Sequence, residues 1–138
     1  MYKTPKQLTY RKRHKMGRSG LAKAGYSQTA PFAMKALSRG QITARQIEAA
    51  RVAISRFLGR KGRLIIQIFP QTPRTSKPAE VRMGKGKGSV DFYAAIIRPG
   101  VTLFELDGVT HDEARDALGR AAAKLNIKTR LSIRQEKV

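Results

Sequence analysis

Phe92-Tyr93-Ala94-Ala95-Ile96-Ile97-Arg98-Pro99-Gly100-Val101-Thr102-Leu103-Phe104-Glu105-Leu106 is the stretch that decides the fold. Phe92 to Arg98 and Val101 to Leu106 are apolar runs of strand length, and Pro99-Gly100 between them is a turn signal. The spacing predicts two antiparallel strands joined as a hairpin. Just beyond, Thr110-His111-Asp112-Glu113 is a capping box, and Asp112 and Glu113 suit the positive end of a helix dipole. The helix is expected to run to about Leu125, with Asn126 as its C-cap. Its apolar face, Ala114, Ala117, Leu118, Ala121 and Leu125, is mostly small, so it can lie close on a sheet. Ile127, Thr129, Leu131 and Ile133 then alternate with charged and polar residues as a last strand, and the tail from Gln135 to Val138 is expected to fray.

Reading backwards, Arg63-Leu64-Ile65-Ile66-Gln67-Ile68-Phe69 is apolar on nearly both faces and stops at Pro70, which predicts a strand inside a sheet. Thr43-Ala44-Arg45-Gln46 is a second capping box. A helix should follow to about Leu58, burying Ile47, Ala50, Ile54, Phe57 and Leu58, with Gly59 and Gly62 ending it. Arg45, Arg51 and Arg56 fall off that face with Glu48 the only acid, a basic surface read as uncompensated. Pro31-Phe32-Ala33-Met34-Lys35-Ala36-Leu37 reads as an edge strand anchoring what precedes it. Two helices among runs of strands give the α+β class, with both helices packed on a mainly antiparallel sheet.

The chain has 138 residues, enough for one domain with a real core. Its 29 Lys and Arg against 9 Asp and Glu give +20. Such a balance repels itself and calls for a polyanion, most commonly nucleic acid. The charge is sorted: residues 1–88 hold 21 basic and 2 acidic side chains, residues 89–138 hold 8 and 7. The first part is built to face an anion. No run of about 18 apolar residues spans a bilayer. No cysteine is present to form a disulfide framework or a thiolate metal site.

Residues 1–25 form a basic arm around Tyr10-Arg11-Lys12-Arg13-His14-Lys15-Met16-Gly17-Arg18, without helical or strand periodicity, expected to order on its partner. Tyr10 and Tyr26 are candidates for stacking on bases, or for plain packing. The acid-free start also resembles an organelle transit peptide. Residues 26–138 are read as the α+β domain. Within it, residues 70–91 are read as a long loop, and loops of about 20 residues are usually functional or disordered. At its far end stands Lys77-Pro78-Ala79-Glu80-Val81-Arg82-Met83-Gly84-Lys85-Gly86-Lys87-Gly88. Glycines that admit positive φ alternate with lysines, a design for approaching phosphate, though not the spacing of a nucleotide-binding P-loop. A flexible basic linker is the other reading of this stretch.

Catalytic chemistry has little support. His14 and His111 have no metal-ligand spacing, and His111 beside Asp112 reads as a first-turn surface residue. Ser19, Ser27, Ser55, Ser76 and Ser89 lie in no nucleophile elbow, and the basic part has no paired carboxylates. No cofactor and no metal are expected.

Tyr10-Arg11-Lys12-x-His14-Lys15, Thr43-Ala44-Arg45-Gln46-Ile47-Glu48-Ala49-Ala50-Arg51, Lys77 through Gly88, and Ile127-Lys128-Thr129 together resemble the bacterial-type ribosomal protein L-sixteen family. The blocks follow the family's order over nearly the whole chain. The family's start aligns with Met1, which argues against a cleaved leader.

The resemblance implies an α+β sandwich with two helices and a long loop, and a non-enzymatic role as a structural constituent of the large ribosomal subunit. It implies binding to large-subunit rRNA near the A-site cleft and central protuberance, help in positioning A-site tRNA, and support of late assembly. The partners are then large-subunit rRNA, A-site tRNA with P-site tRNA as a further candidate, and neighbouring ribosomal proteins, with no membrane and no homo-oligomer. The rRNA contacts implied are Lys3, Lys6, Tyr10, Arg11, Lys12, Arg13, His14, Lys15, Arg18, Lys23, Arg45, Arg51 and Lys77. The tRNA-proximal loop is Arg82, Met83, Gly84, Lys85, Gly86, Lys87 and Gly88.

Two strands depart from the family pattern. Arg63-Leu64-Ile65-Ile66-Gln67 stands where Lys-Ile-Trp-Ile-Arg is usual, and Phe92-Tyr93-Ala94-Ala95 where Tyr-Trp-Val is usual. Both stay apolar, so the fold is unaffected, while contacts made by the replaced Trp or Arg are not carried over. The host ribosome is bacterial, mitochondrial or plastid on this reading. Outside the resemblance, an RNA- or nucleotide-processing enzyme gripping phosphate with the Gly/Lys loop, and a DNA-compacting or membrane-surface protein, also account for the charge.

Overall fold

A computed structural model describes residues 4–14, 20–22 and 29–134. The described elements are β1 (Phe32–Ala36), β2 (Gly40–Thr43), α1 (Ala44–Leu58), β3 (Arg63–Ile66), β4 (Thr72–Ser76), β5 (Ser89–Ile97), β6 (Thr102–Asp107), α2 (His111–Ala122) and β7 (Thr129–Ile133). The α+β class stands, and every strand pairing is antiparallel. The strands form two sheets, ordered β3-β6-β1-β7 and β2-β5-β4.

The stretch 92–106 therefore behaves differently from the expected hairpin. β5 gives both edges to β2 and β4, and β6 gives both edges to β3 and β1. The Pro99-Gly100 turn carries the chain from one sheet to the other. Gly100, at φ 90°, donates its N–H to the Ala36 carbonyl at 2.7 Å, and Ala36 N–H donates to the Val101 carbonyl at 2.9 Å. The crossing point is thus stitched to the end of β1 rather than closed on itself.

Three other expectations change for the same reason, which is that strand partners are chosen by the whole fold. β1 is an interior strand, paired with β6 and β7, not an edge. β3 is shorter than read and sits at the edge, paired only with β6. β6 is the strand covered on both faces, buried from Thr102 to Leu106. The stretch 70–91 is not one loop. β4 and the start of β5 pair through it, Thr72 opposite Ala94 and Ser76 opposite Ser89, leaving only residues 77–88 as the tip of a hairpin. Pro73 hides β4 from sequence reading. It is tolerated because β4 is an edge strand, where a missing N–H need not break a ladder.

Both helices begin as predicted. The Thr43 hydroxyl accepts from Gln46 N–H at 3.3 Å while the Gln46 side chain accepts from Thr43 N–H at 2.9 Å. Thr110 and Glu113 repeat the arrangement at 3.4 and 3.1 Å. α1 ends at Gly59 (φ 62°). α2 ends at Ala122, short of Leu125, because its last turn tightens into Lys124 N–H to Ala121 and Leu125 N–H to Ala122 bonds. Ala123, not Asn126, is its cap.

One core unites the layers. Ile42, Ala95 and Ile97 from the small sheet meet Met34, Phe104 and Leu106 from the large one, closed by Ile47 and Ile54 of α1 and Ala114 and Leu118 of α2. Beneath it lies a wholly buried carboxylate. Glu105 accepts from the backbone N–H groups of Thr29 and Ala30, both at 3.0 Å, and from the Gln67 side-chain amide at 3.1 Å. It ties down the segment that leads into β1.

Candidate nucleic-acid interface

The β4–β5 hairpin projects a tip whose residues 77–87 are all exposed, Met83 at 98%. The backbone turns through three successive positive φ angles, Gly84 at 91°, Lys85 at 56° and Gly86 at 81°. Gly84 and Gly86 face open space, so their requirement is conformational. Gly88 is required for a different reason, since a Cβ there would run into the Ser76 carbonyl across the hairpin's neck. Lys77 reaches over the tip and donates to the Gly84 carbonyl at 2.7 Å. The tip is thus a formed structure, not a linker.

The arm lies against it. Lys12 Nζ donates to the Lys87 carbonyl at 2.9 Å, and Lys87 Nζ donates in return to the Arg13 carbonyl. Residues 75 positions apart in sequence share one surface. Both bonds run from an ammonium to a neutral carbonyl, so neither cancels a charge. Arg11, Lys12, Arg13 and His14 are exposed, as are Arg82, Lys85 and Lys87. Gathering like charges in this way is unfavourable in isolation and becomes favourable when a polyanion releases its counterions.

The start of the arm approaches α1. Thr4 lines a groove of about 550 Å³ with Thr43, Ala44, Arg45, Asp91, Phe92 and Tyr93. Arg45 is exposed, and the first turn of α1 contains no acid. Arg45 therefore stands by the arm, as does Phe92, which is 43% exposed. Lys6 and Tyr10 are exposed along the arm.

Arg51 differs from expectation. Its guanidinium forks onto Glu48, with Nη2 to Oε1 at 2.6 Å and Nε to Oε2 at 3.0 Å. The hydrogen bond from Arg51 holds the Glu48 carboxyl below its usual range, and the same bond raises Arg51. Arg51 is a compensated cation. Lys3, Lys15, Arg18 and Lys23 lie outside the described residues, as do Tyr26 and the tail 135–138. His111 is exposed, 3.3 Å from Asp112, with its ring edge-on to Phe32.

Sequence reading passed over Arg74. It sits in β4 opposite Phe92, at the hairpin's base, with Nε and Nη2 buried and without an acceptor among the described residues. The prolines and glycines of 70–91 read as loop, so no strand periodicity marks it. Glu105 was likewise silent, because one acid in an apolar run gives no hint of what it will hold.

The family model described as Ribosomal protein L16p/L10e matches residues 5–132. The large ribosomal subunit protein uL16 of Chlamydia pneumoniae is 52% identical over 135 residues, covering 97% of this chain and 98% of the relative. The proteins of the same name from Chlamydia trachomatis serovar L2 and Chlamydia caviae are 52% and 51% identical over the same shares.

Proposed function

This chain belongs to the ribosomal protein L16p/L10e family, and on that premise we propose that its arm and hairpin tip form one surface gripping large-subunit rRNA beside the A-site cleft, below the central protuberance. It is a structural constituent of the large ribosomal subunit, of the bacterial type, with rRNA and other ribosomal proteins as partners.

Within that role the arm, residues 1–25, threads along rRNA and neutralises phosphates through Lys3, Lys6, Arg11, Lys12, Arg13, Lys15, Arg18 and Lys23, with His14 and Tyr10 beside them and Arg45 next to its start. Residues 26–138 are the domain that carries the tip. The tip faces A-site tRNA, and the protein supports late assembly of the surrounding region. It acts by binding, with no covalent step.

The observation that carries this reading is the reciprocal pair of Lys12 and Lys87 across the arm and tip. It divides the labour among the loop's cations. Lys77 and Lys87 each spend an ammonium on a backbone carbonyl, and Lys87 also holds the arm. Arg82 and Lys85, exposed and without such a bond among the described residues, are the ones that reach a second RNA.

The test is reconstitution of large subunits lacking this protein with Lys85→Ala and, separately, Lys87→Ala chains. Lys85→Ala should enter particles at full stoichiometry and weaken A-site tRNA binding. Lys87→Ala should loosen the arm and lower incorporation at high salt. Loss of the Lys85→Ala chain from particles, or normal A-site binding by it, would remove the tip from the tRNA.

A further inference from the structure

The outer faces of α1 and α2 enclose a second cationic feature. Ala53, Arg56 and Phe57 of α1 and Arg120, Ala123 and Lys124 at the end of α2 line a groove of about 520 Å³. Among the described residues its walls carry three cations and no acid. None of the three has an ion-pair partner among the described residues. Asp116, one turn before Arg120 on α2, does not line it.

Arg120 is held in place: its guanidinium carbon lies 4.5 Å from the centre of the Phe57 ring. A charge fixed in this way loses little freedom on meeting an anion. The floor is two alanines and a half-buried Phe57. None of the exposed large apolar residues among those described lies in it. A docking protein draws its affinity from such anchors. A phosphodiester backbone does not, because its affinity comes from the cations.

We propose that this groove is a second RNA-backbone site, so that the protein holds rRNA at both ends of α1. Arg45 and Arg56 are 11 residues apart, roughly 16 Å along the helix. The inference rests on the rRNA-binding reading above and adds a contact made largely from the chain's nearly neutral third.

Salt dependence tests it with large-subunit rRNA as the probe. Replacing Arg56, Arg120 and Lys124 together by Gln should make the slope of log K against log salt shallower by about 2–3, near one per phosphate contact. Lys124→Gln alone, which leaves the Arg120–Phe57 pair intact, should remove about one. An unchanged slope in both variants overturns the proposal.

The chain's lack of cysteine permits a second readout. A hydroxyl-radical probe tethered at Ala123→Cys in assembled subunits should cleave rRNA. A companion probe at Gln7→Cys, in the arm, reports on the rRNA reading itself. Cleavage from 7 without cleavage from 123 overturns the groove alone, and silence from both overturns the two together. Crosslinking from 123 to a protein alone also overturns it.

Discussion

Glu105→Ala should destabilise the whole domain and free the root of the arm. The side chain is fully buried and accepts three hydrogen bonds, two from the backbone at Thr29 and Ala30 and one from Gln67. Truncation strands the Ala30 N–H in a dry site and the Thr29 N–H in a partly wet one. A stranded buried donor costs about 1–3 kcal/mol, so the loss should be about 2–5 kcal/mol. Against a typical domain stability of roughly 5–15 kcal/mol, that is a large share.

Glu105→Gln isolates the cause. The new amide oxygen can still accept from both backbone groups, and Gln67 can turn its own oxygen toward the new NH2, so the cost should fall to about 1 kcal/mol. Urea unfolding at pH 7 measures both variants. Amide exchange at Thr29 and Ala30 should speed up in the Ala variant before global unfolding does. A Glu105→Ala loss below about 1 kcal/mol would refute the view that this carboxylate anchors the arm's root.

Stability should also decline in acid through two surface glutamates. Glu113 is held below the usual carboxylate range first by the Thr110 backbone N–H and then by the Lys61 ammonium 3.0 Å away, and Glu48 is lowered by its Arg51 hydrogen bond. A depressed carboxylate contributes fully above its unfolded value of about 4.3 and loses that contribution as pH falls through the folded value. The urea midpoint of a Glu48→Gln, Glu113→Gln double variant should therefore fall less steeply below about pH 4 than that of the parent, and an equal fall refutes the assignment. Glycine substitutions should split by environment: Gly119→Ala, in open space within α2, should stabilise by about 0.4–1 kcal/mol, whereas Gly88→Ala, against the Ser76 carbonyl, should destabilise the hairpin. Thermal melts giving the same sign for both would refute the distinction.

The candidate interface was legible in part. The glycine-lysine block and the basic arm stood out because composition and charge sorting are properties of the chain. Their junction through Lys12 and Lys87 did not, since no local rule pairs residues 75 apart. The Arg51–Glu48 pair was open to sequence reading, since the two stand three residues apart, at a spacing that brings side chains together on a helix. The groove of Arg56, Arg120 and Lys124 was hidden by the charge count, which assigned Arg120 and Lys124 to a balanced segment.

What the sequence determined by itself is whatever a few neighbouring residues decide. Thr43 with Gln46 and Thr110 with Glu113 set the helix starts, because a cap and its partner are one turn apart. The periods of apolar residues set which helix faces are buried, and two helices among runs of strands set the α+β class. Only the tertiary structure decided which strands pair. β5 and β6 are both apolar and both end at one turn, and either could have served the other as an edge. They part because β4 and β2 claim β5 while β1 and β3 claim β6. A strand's edges accept any backbone, so the choice belongs to the packing of the whole core and not to the residues on either side of Pro99-Gly100.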